Sequence, residues 1–180
     1  LVIQHEPGVS LGRFGPWLTE AGIEVAIVQA KAGLPVSLAD YEGLIVLGGT
    51  MAAWADEDAP WLPRVRELLR VAVDHSVPTL GLCLGGQLLA LALGGRVERG
   101  PAGWEVGVTE VVPTAAAGTD PLTAHVPPEG LPAAQWHSDA VVTLPVGATL
   151  LLTGAAYENQ LFRVGDRAWG TQFHPEVTVE

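Results

Sequence analysis

Between residues 77 and 95 the chain carries no charged side chain. Such a run has to be buried, either in a membrane or inside a protein core. A membrane span needs ~20 consecutive apolar residues. Here Pro78, Gly81, Gly85, Gly86 and Gln87 interrupt the run where a spanning helix would have to be continuous. A buried strand over 77–82, a sharp turn at the glycines and a buried helix from Leu84 to about Leu93 account for it instead. The sequence therefore predicts a strand–turn–helix unit and no membrane span.

The rest of the first half repeats that alternation. Residues 1–4 read as a short apolar strand ending before Pro7-Gly8. Residues 12–21 read as a helix, with Phe14, Trp17 and Leu18 at helical spacing and Gly22 as its stop. Residues 23–28 are β-branched and strand-like, and 43–47 form a continuous apolar run closed by Gly48-Gly49. Residues 60–73 predict an amphipathic helix with Val65, Leu68, Leu69 and Ala72 inward and Arg64, Arg66 and Arg70 outward.

The second half changes character. Strands are expected over 104–112, 141–144 and 150–153, and a hairpin over 160–164 and 168–173 that turns at Gly165-Asp166. Residues 114–132, rich in Ala, Pro, Gly and Thr, read as a surface excursion. The pattern is that of an α/β fold: an open, mostly parallel central sheet flanked by helices in a flavodoxin-like three-layer arrangement, with additional antiparallel strands in the second half. With 180 residues and no internal repeat or linker, one domain over 1–180 is expected.

Composition narrows the function classes. Hydrophobic residues at 48% against 16% charged exclude a disordered chain. A net charge of −11, with Lys31 the only lysine and no basic stripe, argues against nucleic-acid binding, which needs cations to neutralise phosphates. Cys83 is the only cysteine, so no intrachain disulfide can form; a free thiol fits a reducing, cytoplasmic setting. The N-terminal residues lack the basic segment of a signal peptide, and the missing initiator Met implies that one or more residues have been lost.

Three segments carry candidate chemistry. In Gly81-Leu82-Cys83-Leu84-Gly85-Gly86-Gln87 a nucleophile stands between glycines, after a strand and before a helix, which is the layout of a nucleophile elbow. The helix dipole favours a thiolate there, and the turn aims the N–H of Leu84 at a substrate as an oxyanion donor. A lone cysteine is as readily a small buried hydrophobe, so the segment alone leaves both readings open. In Gly170-Thr171-Gln172-Phe173-His174-Pro175-Glu176 the proline favours an extended His174, which lets His174 and Glu176 share one side as base and orienting carboxylate. The segment alone is better read as a strand-end histidine near a surface glutamate. Gly48-Gly49 follows a buried strand, at the carboxyl edge where parallel sheets bind ligands, and by itself reads equally as an ordinary strand-end turn.

Trp136-His137-Ser138-Asp139 offers a rival base. His137 ranks below His174 as the candidate base, with Ser138-Asp139 a possible rival pair beside it. His5, His75 and His125 have no informative neighbours. No spacing of His, Cys, Asp or Glu suggests a metal site, no glycine-rich loop ends in a phosphate-binding lysine, and no cofactor is expected.

Together, Gly-Leu-Cys83-Leu-Gly-Gly-Gln87, Gln-Phe-His174-Pro-Glu176 and Leu-Gly-Gly49 resemble the triad-type, class I glutamine amidotransferases over nearly the whole chain. Trp136-His137-Ser138-Asp139 and Glu105-Val-Gly107 resemble the stand-alone branch related to the amidotransferase domain of GMP synthase. The resemblance implies that Cys83 attacks the side-chain amide of glutamine to form a thioester. Gly49 and Leu84 would hold the oxyanion, His174 would move the proton and Glu176 would orient it. Gln87 and the backbone near His137 and Ser138 would hold the amino-acid end of the substrate.

The substrate implied is glutamine or a γ-glutamyl compound, with ammonia passing to a separate synthase subunit if one exists. The sequence ends four residues after Glu176, where stand-alone members commonly continue, so a C-terminal extension is expected to be missing from it. Three alternatives stay open: a γ-glutamyl peptidase using the same triad, an esterase-like Cys-His-acid hydrolase, and a non-catalytic binding module.

Overall fold

A computed structural model describes residues 1–178. The first half comprises β1 (Val2–Gln4), α1 (Phe14–Glu20), β2 (Ile27–Gln29), β3 (Leu44–Val46), α2 (Leu62–Asp74), β4 (Thr79–Leu82) and α3 (Leu84–Ala92). The second comprises β5 (Arg96–Arg99), β6 (Glu105–Pro113), β7 (Leu131–His137), β8 (Asp139–Thr143), β9 (Thr149–Gly154), β10 (Leu161–Val164) and β11 (Ala168–Thr171).

Nine of these strands form one sheet in the order β2-β1-β3-β4-β11-β10-β9-β6-β7. The pairings from β2 through β11 are all parallel. Their order is the 2-1-3-4-5 of flavodoxin-like sheets, with β11 in the fifth place. From β11 outward every pairing is antiparallel. Strands β5 and β8 pair in a separate antiparallel ribbon. The parallel first half and antiparallel second half expected from the sequence are both present.

The core sits on both faces of the sheet. Leu62, Val65, Leu68, Leu69 and Ala72 of α2 and Leu84, Leu88 and Leu89 of α3 bury against Ile3, Leu44, Val46 and Phe162. On the other face Phe14 and Leu18 of α1 pack over Val2, Leu47 and Leu82. The four positions of α2 expected inward are all buried, and Pro63 lies in its first turn, where a missing N–H breaks no helical hydrogen bond. Among the described residues no helix is long and apolar enough to cross a membrane.

Three elements differ from the sequence pattern. The strand expected over 23–28 covers only Ile27–Gln29, because the N–H of Ile23 donates to Leu18 O (2.9 Å) and closes α1. Strand β5 has no counterpart in the pattern, since only Val97 of its four residues is buried and the others are charged. Strand β7 begins inside the expected 114–132 excursion and carries Pro132, which an edge strand tolerates.

One contact fixes the turn between β4 and α3. A Cβ on Gly85 would lie 2.0 Å from Val46 O, and one on Gly86 would lie 2.6 Å from Thr171 O. The first turn of α3 thus rests directly on the backbones of β3 and β11, an approach only glycine permits. Gly85→Ala is expected to cost at least ~2 kcal/mol by urea denaturation, at the upper end of overpacking penalties. Gly118→Ala, with nothing within 4 Å of the new methyl group, is expected to stay within ~0.5 kcal/mol. Equal effects would refute the packing account.

Candidate active site

The carboxyl ends of β1, β3, β4 and β11 are adjacent in the parallel part of the sheet. Each delivers one part of the site. Strand β4 delivers Cys83, β11 leads to Gln172–Glu176, β3 leads to Gly48–Thr50, and β1 leads to His5 and Glu6.

Cys83 has φ 49° and ψ −105°, a conformation that L-residues with a side chain rarely adopt. Its N–H donates to Thr171 O at 2.9 Å, so the strained turn is held from β11. The residue stands immediately before α3, at the positive end of the helix dipole, and is only 5% exposed. Leu84 is the first residue of α3, so its N–H has no acceptor within the helix.

His174 is placed by its own backbone, whose N–H donates to Ala134 O at 2.8 Å. Its Nδ1 donates to Glu176 Oε1 at 2.7 Å. This carboxylate fixes the ring orientation and leaves Nε2 as the nitrogen not engaged by it. Nε2 is buried and makes no hydrogen bond of standard geometry, yet it lies near enough to the Cys83 sulfur to interact with it. Burial alone would push the imidazolium pKa down; the interactions with Cys83 and Glu176 outweigh it and raise the value to about 10. The convergence of these side chains is visible from a neighbouring loop: a Cβ on Gly48 would sit 3.3 Å from His174 Cε1 and 3.7 Å from Cys83 Cβ.

The loop after β3 is pinned from β1. Glu6 accepts from the Thr50 N–H (3.0 Å) and the Thr50 hydroxyl (2.7 Å). Beneath it His5 is buried and accepts at Nδ1 from Trp61 Nε1–H (3.1 Å). Desolvation lowers the pKa of His5 to about 4, which keeps it neutral. A Cβ on Gly49 would lie 2.8 Å from both Leu84 Cδ2 and Met51 Sδ, the ends of two flexible side chains that would have to shift to admit it.

A cleft of about 120 Å³ opens over Cys83. Gly49, Gln87, His137, Ser138 and Asp139 line it, so the expected substrate-binding residues and one of the two expected oxyanion residues, Gly49, face the same space, while Leu84 is not part of the lining. The volume is well below the ~300–1,000 Å³ of pockets for drug-sized ligands. Trp104 and Trp136 form part of the lining while remaining 65% and 67% exposed. Arg99 donates to Ser138 Oγ at 2.6 Å and lies 3.5 Å from the Asp139 carboxylate. Among the described residues no group of three His, Cys, Asp or Glu could hold a metal ion.

His137 has a carboxylate partner after all. Glu105 lies opposite it in the β6–β7 ladder, and Glu105 Oε2 is 2.9 Å from His137 Nε2. Residues near His137 in sequence could not reveal a partner that comes from another strand. His137 Nδ1 donates to Asp139 O at 3.0 Å. Desolvation is the largest influence on its pKa and lowers it, although the Glu105 contact opposes that. His137 is thus tied at both ring nitrogens, whereas Nε2 of His174 is not.

Gln87 is also committed. Its Nε2 donates to Asp139 O (2.8 Å) and to Gln172 Oε1 (3.2 Å), leaving Gln87 Oε1 as its only free polar atom. Gln172, which is not among the residues expected at the site, donates to Cys83 Sγ at 3.7 Å. Its position two residues before His174, in the extended segment that carries the histidine, is the signal that could have found it.

Residues 17–180 match the family described as "Glutamine amidotransferase class-I", and the chain belongs to that family. It is 36% identical over 140 residues to a glutamine-hydrolyzing GMP synthase component of Halobacterium salinarum, covering 77% of this chain and 68% of that one. It is 32% identical over 141 residues to gamma-glutamyl peptidase 4 of Arabidopsis thaliana, covering 77% of this chain and 55% of the relative. A crystal structure of a glutamine amidotransferase from Thermotoga maritima superposes with a TM-score of 0.89 at 34% identity, over 98% of this chain and 75% of that one. The chain spans 55–75% of the length of the first curated relatives it matches.

Because the folded value of His174 lies above the ~6.5 of a free imidazole, its ion pair stabilises the fold fully below pH ~6.5. That contribution is lost as pH rises through about 10. In an NMR titration the His174 ring is expected to remain protonated well above pH 7, and Cys83→Ala to move its midpoint downward. A midpoint near 6.5 in both proteins would contradict the site electrostatics.

Proposed function

We propose that this chain hydrolyses the side-chain amide of glutamine, with Cys83 as nucleophile, His174 as acid and base, and Glu176 as the carboxylate orienting the imidazole. The observation that carries this reading is Cys83 in a strained strand-to-helix turn beside an imidazole whose far nitrogen is held by Glu176 at 2.7 Å. No packing requirement calls for all three, and the arrangement is that of a nucleophile, a base and an orienting acid.

The thiolate of Cys83 attacks Cδ of glutamine, and the developing oxyanion is received by the N–H groups of Gly49 and Leu84. His174 Nε2 gives its proton to the departing nitrogen, the C–N bond breaks, and ammonia leaves a γ-glutamyl thioester on Cys83. His174 then takes a proton from water as the water oxygen bonds to the thioester carbon. The C–S bond breaks, and glutamate and the thiolate are released. Through both steps Glu176 keeps the Nδ1 proton, so Nε2 always faces the reaction. Gln87 Oε1, Ser138 and Asp139 bind the amino-acid end of the substrate. The ammonia passes to a separate synthase chain, as the relationship to the Halobacterium GMP synthase component suggests, and a free thiol is consistent with work in a reducing, cytoplasmic compartment.

A second reading, a γ-glutamyl peptidase, uses the same steps with an amine as leaving group. What favours it is the pair of exposed indoles of Trp104 and Trp136 at the cleft, since ammonia alone needs no apolar wall at its exit. The name of the Arabidopsis relative points the same way.

Cys83→Ala is expected to abolish release of ammonia from glutamine and of amine from γ-glutamyl peptides, and His174→Ala to lose at least ~10²-fold. Undiminished turnover by Cys83→Ala would overturn the nucleophile assignment, and a mild His174→Ala beside an inactive His137→Ala would move the base to His137. A panel of glutamine against γ-glutamyl peptides separates the two readings: a kcat/KM for peptides above that for glutamine favours the peptidase.

A further inference from the structure

The Cys83 sulfur has a second polar neighbour besides His174. The side-chain amide nitrogen of Gln172 lies 3.7 Å from it, within the longer range usual for hydrogen bonds to sulfur. An amide can face a neighbour with either its NH₂ or its oxygen, so which end faces the sulfur has to be derived from the surrounding hydrogen bonds.

The surroundings decide it. The Asp139 carbonyl can only accept, so the Gln87 group 2.8 Å from it must be the NH₂. The same nitrogen approaches Gln172 within 3.2 Å, and the facing Gln172 atom must therefore be the acceptor, Oε1. That leaves the Gln172 NH₂ toward the sulfur. Turning Gln172 over would set two NH₂ groups against each other and its oxygen against the sulfur. Both glutamines are buried, at 4% and 2% exposure, so water cannot relieve such a mismatch. The backbone adds a further restraint, because the Gln172 N–H donates to Gln160 O at 2.8 Å.

We infer that Gln172 is a positioning residue whose amide, held in one orientation by Gln87 and the Asp139 carbonyl, donates a hydrogen bond to the Cys83 sulfur and favours the charged nucleophile. The inference rests on the reading of Cys83 as nucleophile. It gives Gln87 a second task, since the relay runs through its NH₂ while its oxygen stays free for the substrate. A hydrogen bond to a charged acceptor is strong enough to change the population of the charged form by about tenfold.

The test is the pH dependence of Cys83 alkylation by iodoacetamide, read by mass spectrometry, in the parent, Gln172→Met and Gln172→Glu. Methionine keeps the length without a donor; glutamate keeps the shape and sets an acceptor against the sulfur. In Gln172→Met alkylation at pH 7 is expected to fall about tenfold, with the profile displaced to higher pH, and in Gln172→Glu to fall further. kcat for glutamine should fall with little change in KM. Thermal unfolding identifies a variant that fails to fold, and a measurement on the parent then decides: the Gln172 side-chain amide resonance should shift in step with Cys83 ionisation. Superimposable alkylation profiles in folded variants, or an amide resonance indifferent to Cys83 ionisation, would overturn the inference. If Cys83→Ala keeps full turnover, the nucleophile reading itself fails; if Cys83 is essential and the profiles superimpose, only the role of Gln172 falls.

Discussion

The site depends on a backbone contact made by residues without side chains. Gly85 and Gly86 let the first turn of α3 settle on Val46 O and Thr171 O, and Cys83 is forced into its φ of 49° by the turn that results. That one contact sets the direction of the thiol and the place of the helix N-terminus behind it. It also ties the elbow to β3 and β11, the two strands whose ends carry Gly49 and His174. Displacing α3 by the width of a methyl group would move Cys83 away from Gly49 and His174 together.

The antiparallel half of the sheet has a matching role. After α3 the chain leaves the parallel sheet, builds β6, β7, β9 and β10, and only then inserts β11 beside β4. This path brings a buried polar network up to the sulfur. Gln135 donates to Gln160, Gln160 to Glu105, and Glu105 pairs with His137. His137 and Gln87 share the Asp139 carbonyl, and Gln87 leads through Gln172 to Cys83. In a low-dielectric interior, chains of hydrogen bonds with fixed direction strengthen one another and exclude alternative arrangements. The network holds the wall of the cleft that Gln87, His137 and Asp139 line, so the antiparallel strands shape the space over a cysteine that stands on the parallel ones.

How much of this the sequence revealed follows from how local each signal is. The elbow was legible because strand, glycines and helix are contiguous between residues 77 and 95. His174 and Glu176 were legible because an extended segment places alternate residues on one side. Helix α2 was legible because its buried positions recur at helical spacing. What could not be read was set by strand pairing. Glu105 becomes the partner of His137 only through the β6–β7 register, and Gln172 acquires meaning only beside Gln87, far from it in sequence. Strand β7 was hidden because Pro132, Ala133 and Ala134 have little preference for strands and are held there by pairing with β6.

The central claim is that bond breaking passes through a covalent bond to Cys83. Its most direct test is rapid acid quenching during turnover of glutamine, followed by intact-mass and peptide analysis. The account requires a γ-glutamyl adduct on the Cys83 peptide, formed at a rate at least equal to steady-state turnover and absent from Cys83→Ala. Ammonia release with no adduct at any time, or an adduct on another residue, would contradict it.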